Sequence, residues 1–191
     1  QAEDYEARRN NAIWRSEDNV FKNIKYKIAP KYNNLMKILD VGAGTGRWIP
    51  HLQDIALKYV GTDISKNMLD QAKLKLNSCP ENFKNNSKLI VAPVEKLQTY
   101  INGKFDLIIM TRFLSHFSIY EIKNIMKIIK NYSNGYIIVS LRVADNMSDI
   151  YSEIFELIIK SPLGAIKRYR KSGRLTYARL SSKYDKVIQD S

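Results

Sequence analysis

The chain has 191 residues, 45% of them hydrophobic, which is enough for one domain with a complete core. A single cysteine excludes a disulfide framework, and with only two histidines the sequence contains no metal-binding cluster by spacing. The formal net charge of +12 is spread along the whole chain, so it is a weak indication of an anionic partner. No stretch has the pattern of a membrane span or a secretory leader, and we expect a cytoplasmic protein without a membrane partner.

The N-terminal residues 1–34 contain no strand pattern. The segment from Glu6 to Lys27 is predicted to form a helix, since apolar residues recur on one face of it. These residues are Ile13, Trp14, Val20, Phe21 and Ile24. The simplest interpretation is a helix that packs against the rest of the domain.

The stretch 37–47 predicts a short strand, a tight turn and the start of a helix. Three glycines alternate after Asp40 in the pattern G-x-G-x-G, and the helix is expected to carry Ile49, Leu52 and Ala56 on one face. Glycine lets a ligand approach the backbone where any Cβ would collide, and a helix N-terminus presents free N–H groups. The spacing differs from that of dinucleotide and phosphate loops, and Asp40 would repel a pyrophosphate. The sequence therefore predicts a nucleoside ligand without phosphates.

A second strand is predicted over Lys58–Thr62, and it ends at Asp63. The offset of this carboxylate from the glycine turn is close to that at which an acid on the second strand binds a ribose. Its two oxygens can accept both ribose hydroxyl protons at once, which neither Asn nor Ser can do. Ser65 then predicts the N-cap of a helix that begins shortly before Met68.

Two runs of the sequence resemble motifs of class I S-adenosylmethionine-dependent methyltransferases: 37–47 resembles the first motif and 62–69 the second. The resemblance implies that the glycine turn binds S-adenosylmethionine, that Asp63 binds its ribose, and that Ile64 and Met68 enclose its adenine. Arg47, at the start of the next helix, is a candidate partner for the methionine carboxylate, or else a surface arginine. The residues assigned to the turn itself are Asp40, Gly42, Ala43, Gly44 and Gly46.

A third strand is predicted over Lys88–Ala92 and is followed by Pro93 and Val94. Members of the family commonly have an acid at the position of Pro93, where it accepts from the adenine amino group, and this sequence departs from that pattern. Pro93 has neither a carboxylate nor an N–H. The resemblance therefore implies that the backbone N–H of Val94 is the donor to the adenine ring in this segment. Either cofactor affinity is lower here, or Glu95 compensates.

The apolar run Phe105–Thr111 predicts a central parallel strand, and with the residues after it resembles the fourth motif of the small-molecule methyltransferases. The resemblance assigns Thr111 to the cofactor site and the following segment to the floor between methyl donor and acceptor. Arg112 is then a candidate clamp for an anionic acceptor, and Phe113 a second acceptor contact. His116 is either a general base or a structural residue.

Strands and helices continue to alternate, with a helix at Ile119–Lys130, a turn at Asn134-Gly135, a strand at Tyr136–Val143 and a helix at Ser148–Lys160. This alternation predicts an α/β fold with a doubly wound, mostly parallel sheet, helices on both faces and strand order 3-2-1-4-5. Related enzymes close the sheet with a C-terminal antiparallel hairpin, which has no counterpart in this sequence. The strand 136–143 is then an edge that the tail, a second subunit or a longer natural chain would cover, and we favour the longer chain.

The resemblance divides the chain into a helical lid over 1–34, a cofactor-binding core over 35–160 and a basic segment over 161–191. Trp14 is the lid residue assigned to the acceptor. Residues 160–186 contain nine lysines or arginines interleaved with tyrosines, a composition that suits RNA. The tyrosines also fall on one face of a predicted helix, which suits a core instead.

Three functions are consistent with these residues. The first is an S-adenosylmethionine-dependent methyltransferase with a small-molecule acceptor of anionic or sugar-like character. The second is an RNA methyltransferase that uses 160–186, although the fourth motif lacks the N/D-P-P-Y/F sequence that holds a base. The third is a catalytically inactive cofactor-binding fold that acts as a partner protein, which Pro93 favours slightly.

Overall fold

The computed structural model describes the backbone of residues 12–140, 143–144 and 179–180 and the side chains of residues 17–140. The described residues form two compact units, one within 1–110 and 131–138 and the other within 111–130 and 139–191. The glycine turn and Asp63 therefore belong to the first unit. Thr111 and the predicted acceptor residue Arg112 belong to the second.

The strands of the described chain follow the predicted order across the sheet. They are β1 (Met36–Val41), β2 (Ala56–Asp63), β3 (Ser87–Val91), β4 (Phe105–Thr111), β5 (Ser133–Ser140), β6 (Val143–Ala144) and β7 (Arg179–Leu180). The first five form one sheet in the order β3-β2-β1-β4-β5, and β6 and β7 form a separate parallel pair. The predicted α/β fold with strand order 3-2-1-4-5 is confirmed.

The helices lie in the connections between these strands. They are α1 (Ala12–Ile28), α2 (Ile49–Leu52), α3 (Lys66–Asn77), α4 (Glu81–Asn85), α5 (Leu97–Tyr100) and α6 (Ile119–Lys130). Short 3-10 turns lie at Ala29–Tyr32, Val94–Lys96 and Leu114–His116. None of the described helices has both the length and the apolar composition needed to cross a bilayer.

β1 and β4 lie at the centre of the sheet because they are apolar on both faces. Ile38 of β1 and Ile108 of β4 are completely buried. In the parallel pairing, Asp40 lies opposite Gly61 of β2 on one side and Ile109 of β4 on the other. The strand order reverses between β1 and β4, and open α/β sheets bind ligands outside the carboxyl ends of the strands at such a point.

The helix after the glycine turn is shorter than predicted. α2 is a single turn, and Ala56 begins β2 instead of lying on the helix. The N–H of Ile55 bonds the carbonyl of Leu52, and the N–H of Met36 bonds the carbonyl of Ile55, which brings the chain alongside β1. Ile49 and Leu52 are fully buried. The apolar residues at helical spacing therefore lie partly in one helical turn and partly at the start of a strand, with the three residues 53–55 between them.

β5 begins earlier than predicted. It covers Ser133–Ser140, so Asn134 and Gly135 lie in the strand and not in a turn before it. A Cβ on Gly135 would lie 2.4 Å from both the carbonyl oxygen of Asp106 and the hydroxyl of Tyr32. Glycine at this position therefore permits close packing, and the Asn-Gly pair was wrongly interpreted as a turn.

Most of the C-terminal predictions fall outside the described residues. These include the helix over 148–160 and the basic segment 161–191, apart from β7. Within the part of the chain that the structure describes, the main sheet has five strands and β5 is an edge, as predicted. How that edge is covered stays a prediction.

α1 packs on the segment that follows the glycine turn. Phe21 is 3% exposed, and its ring stacks on Trp48 with 4.0 Å between the centroids. Lys25 is also buried, and its Nζ donates to Asp54 Oδ1 at 2.8 Å. Val20, in contrast, is 55% exposed, so the predicted apolar stripe is only partly buried. The assignment of the N-terminal region as a lid stays a prediction.

Candidate cofactor and acceptor site

The glycine turn is joined to the end of β2 by backbone hydrogen bonds. The N–H groups of Gly42 and Ala43 both donate to the carbonyl of Thr62, at 2.8 and 2.9 Å. Gly42, Gly44 and Gly46 all have positive φ angles. The carboxyl ends of β1 and β2 are therefore held together as one edge, with the turn lying across it.

Gly44 and Gly46 differ in what surrounds them. A Cβ on Gly46 would lie 2.6 Å from Ile49 Cδ1 and 2.8 Å from Ala72 Cβ, so this glycine allows α2 and α3 to pack closely against the turn. A Cβ on Gly44 would have only the carbonyl oxygen of Gly42 nearby, at 4.0 Å. Gly46 therefore serves packing, whereas Gly44 leaves open backbone that a ligand can approach.

Asp63 connects the turn to the start of α3. Its Oδ2 accepts from the N–H of Gly44 at 2.9 Å, and its Oδ1 accepts from the N–H of Ser65 at 2.8 Å. Ser65 caps α3 as predicted, because its side chain accepts from the N–H of Met68 at 3.4 Å. A carboxylate has about four acceptor positions, so each oxygen of Asp63 keeps room for a further donor.

An apolar surface lies next to Asp63. Ile64, which follows Asp63 in sequence, is 75% exposed. Val91, which is opposite Asp63 in the β2–β3 pairing, is 49% exposed. Val94 opens a 3-10 turn, where the first N–H groups have no acceptor within the turn. Exposed aliphatic groups of this kind suit contact with a planar heterocycle.

Asp40 lies beneath the turn and is almost completely buried, with 1% exposure. Its Oδ2 accepts from the hydroxyl of Tyr59 at 3.1 Å. Burial raises the pKa of Asp40 to about 7, the hydrogen bond from Tyr59 opposes this shift, and the charge of Asp63 adds to it. Sequence reasoning found Asp40 but missed Tyr59, because a tyrosine in an apolar strand is usually a core residue.

Arg47 is buried against α1. Its guanidinium binds the carboxylates of Glu17 and Asp18, with 2.7 Å between Nη2 and Asp18 Oδ1, and lies 4.5 Å from the centroid of the Trp48 ring. Arg47 is 8% exposed. It therefore joins α1 to the glycine turn, and the predicted contact with a methionine carboxylate stays a prediction.

The second unit carries the predicted acceptor residues. Thr111 ends β4, and Arg112 follows it with a φ of 56°, in the left-handed region that residues other than glycine rarely adopt. The N–H of Arg112 donates to the carbonyl of Ser140 at 3.0 Å. The ring of Phe113 lies 4.9 Å from that of Phe117. Arg112 and Phe113 are both partly exposed.

The remaining predicted site residues are less informative. His116 ends the 3-10 turn Leu114–His116 and its side chain is exposed, so its role as a general base stays a prediction. Trp14 lies in α1, but its side chain is outside the described residues. Among the side chains that the structure describes, no group of three or more His, Cys, Asp or Glu is placed to hold a metal ion.

A family model described as a methyltransferase domain matches residues 39–134. The matched span includes the glycine turn, Asp63, Val94 and Arg112, and it amounts to about half of the 191-residue chain. The chain belongs to the class I methyltransferase family. The resemblance stated from the glycine turn and Asp63 is confirmed by this match and by the strand order.

Known proteins support the methyltransferase fold. Magnesium protoporphyrin IX methyltransferase (ChlM) from Synechocystis PCC 6803, with bound S-adenosylhomocysteine, superposes with a TM-score of 0.67 at 16% identity over 94% of this chain and 76% of that one. The bifunctional kinase-methyltransferase WbdD superposes with a TM-score of 0.54 at 18% identity over 66% of this chain and 28% of that one. An uncharacterized protein of Haemophilus influenzae is 36% identical over 110 residues. The chain spans 41% of that protein's length.

S-adenosylmethionine is the cofactor of this methyltransferase family, and the first unit fits it. Gly44 has open space where a side chain would stand. Asp63 is held by Gly44 and Ser65 with acceptor positions to spare, and Ile64 offers exposed apolar surface beside it. Asp40 adds a buried carboxylate below the turn. Together, these features suit a nucleoside that carries an amino-acid group.

Proposed function

We propose that the chain binds S-adenosylmethionine at the glycine turn and transfers its methyl group to a small-molecule acceptor of anionic or sugar-like character. The observation that carries the proposal is the position of Asp63, whose two oxygens accept from Gly44 and Ser65 on either side. These bonds hold the carboxylate at the turn, where its remaining lone pairs suit the two neighbouring hydroxyls of a ribose. Ile64 lies beside it as an apolar surface for a base.

The chain's own contribution to methyl transfer is positioning. Gly44, Asp63 and Ile64 would hold the nucleoside part of the cofactor, and Asp40 would face its methionine part. The bound cofactor supplies a methyl group on a sulfonium sulfur. The neutral thioether that departs is a good leaving group. The protein then has to align the acceptor and exclude water. A general base is needed only if the acceptor stays protonated at neutral pH, and exposed His116 is the candidate.

The backbone of Arg112 supports an anionic acceptor. A non-glycine residue in the left-handed region costs about 1–2 kcal/mol, and strained residues of this kind cluster at active sites and ligand clamps. A guanidinium fork binds a carboxylate or phosphate through two parallel hydrogen bonds. Phe113, next in sequence, adds an aromatic surface. ChlM, by its name, also methylates a small molecule.

Arg112→Lys is expected to raise the acceptor's KM by about tenfold, because lysine keeps the charge but loses the bidentate fork. Affinity for S-adenosylmethionine should not change, since Arg112 is assigned to the acceptor. Steady-state kinetics with the acceptor, together with calorimetry of the cofactor, measure the two effects. A fall in cofactor affinity with unchanged acceptor kinetics would contradict this role.

RNA is the second candidate acceptor. The basis is the composition of 160–186, in which nine lysines or arginines alternate with tyrosines that suit phosphate contacts and base stacking. A contact of this kind weakens steeply as salt concentration rises, because each neutralised phosphate releases counterions. RNA titrations at two salt concentrations therefore test this proposal, and the absence of binding at both would remove it.

The proposed function is tested by supplying the protein with S-adenosylmethionine labelled in the methyl group, together with fractionated metabolites or with RNA. Label in a small-molecule fraction supports the proposal, and label in RNA supports the second candidate. Cofactor binding without transfer to either pool would favour an inactive partner protein. Asp63→Ala serves as the control at a cofactor concentration near the Kd of the unmutated protein, since label that is undiminished with this variant does not come from the proposed site.

A further inference from the structure

Tyr59 places a hydroxyl group inside the central sheet. It is 0% exposed in β2, and its hydroxyl donates to Oδ2 of Asp40 on the neighbouring strand at 3.1 Å. Gly61, two residues later and opposite Asp40 in the β1–β2 register, provides the space, since a Cβ there would lie 2.8 Å from the Tyr59 hydroxyl oxygen. The missing side chain at Gly61 therefore lets the hydroxyl reach Asp40.

The other oxygen of Asp40 has no hydrogen-bond donor among the described residues. Burying a carboxylate with one donor is unfavourable, and burial accordingly raises the pKa of Asp40 to about 7. The titratable groups acting on Asp40 from the described elements are Tyr59 and Asp63, both on β2, whereas its neighbour on β4 is Ile109. The hydroxyl of Tyr59 opposes the shift, so it stabilises the ionised form.

We infer that Tyr59 is a positioning residue for the cofactor, holding Asp40 ionised next to the glycine turn so that its charge acts on the ammonium group at the amino-acid end of the cofactor. This inference rests on the proposed function. It extends the site from the turn into the middle of the sheet. Tyr59 acts through Asp40, and the cofactor itself is not its contact.

The inference predicts a pH-dependent affinity. Asp40 is neutral below its pKa of about 7 and ionised above it, so affinity rises with pH through this range and then levels off. Tyr59→Phe removes the donor that lowers the pKa of Asp40. The midpoint should therefore move upward by about one to two pH units, since a hydrogen bond to a charged group corresponds to a shift of that size. At neutral pH the variant binds about tenfold more weakly, and at high pH it binds like the unmutated protein.

Calorimetric titration with S-adenosylhomocysteine across about pH 6–9 measures this midpoint. Tyr132→Phe is the matched control, because Tyr132 is also a buried tyrosine but lies near the amino end of β4, where its carbonyl accepts from Phe105. Asp40→Asn should bind with no pH dependence in this range. A Tyr59→Phe profile that coincides with the unmutated one, or is weaker by the same factor at every pH, would overturn the inference.

Two further outcomes separate this inference from the proposed function. If the unmutated protein does not bind S-adenosylhomocysteine at any pH, the proposed function fails and the inference fails with it. If it binds with a flat pH profile, only the inference fails, and this result needs no variant. The infrared carbonyl band of protonated Asp40, identified by its loss in Asp40→Asn, should titrate at higher pH in cofactor-free Tyr59→Phe. An unshifted band would also overturn the inference.

Discussion

Gly46→Ala is expected to lower the free energy of unfolding by about 2–5 kcal/mol, the combined size of overpacking in a core and of a left-handed φ without glycine. The added Cβ would lie 2.6 Å from Ile49 Cδ1 and 2.8 Å from Ala72 Cβ, and the φ of this residue is 70°. Ala72 is fully buried in α3, so the helix has no room to move away. Urea unfolding followed by circular dichroism measures the loss.

Gly44→Ala is the matched variant, and it should affect binding more than folding. Its φ of 55° still costs about 1–2 kcal/mol, but the new Cβ meets open space in the protein. That space is where the cofactor is proposed to approach the backbone. Affinity for S-adenosylhomocysteine should therefore fall by at least about tenfold while most of the stability is kept. Equal losses of stability in the two variants would contradict the division of roles between these glycines.

The strands of the sheet and their order were predictable because each strand is recognised from a short run of neighbouring residues. Apolar runs such as Phe105–Thr111 need no partner to be recognised as buried parallel strands, and their alternation with helices leaves few topologies. The glycine turn, Asp63 and Ser65 were predictable for another reason, since together they form a recurring motif. The hydrogen bond between Gly44 and Asp63 joins residues 19 apart in sequence, and the motif placed both of them in the predicted site.

The features that were missed are side-chain contacts between elements that belong to no recurring motif. The guanidinium of Arg47 binds Glu17 and Asp18 of α1, and no spacing rule predicts that contact. The pairing of Tyr59 with Asp40 requires the β1–β2 register and the space at Gly61. Each of these contacts follows from how two elements pack, which a linear pattern does not contain.

Substitution of Asp63 is expected to have a large effect on cofactor affinity, because its carboxylate bonds the protein backbone and is proposed to bond the ligand as well. Its oxygens accept from Gly44 and Ser65, which leaves the remaining lone pairs for the ribose hydroxyls. Asp63→Ala should weaken binding of S-adenosylmethionine by about 1.5–3 kcal/mol, the range for hydrogen bonds to charged groups. Calorimetry with the purified protein gives this value directly.

Asp63→Asn tests the carboxylate more sharply than alanine does. An amide of the same size must turn its NH₂ group toward either Gly44 or Ser65, so a donor faces a donor where a hydrogen bond stood before. We therefore expect binding at least as weak as in Asp63→Ala, despite the closer similarity in shape. Asp70→Ala is the control, since Asp70 lies on the exposed side of α3 and pairs with Lys66. Unchanged affinity in Asp63→Asn would show that the carboxylate does not bind the ribose.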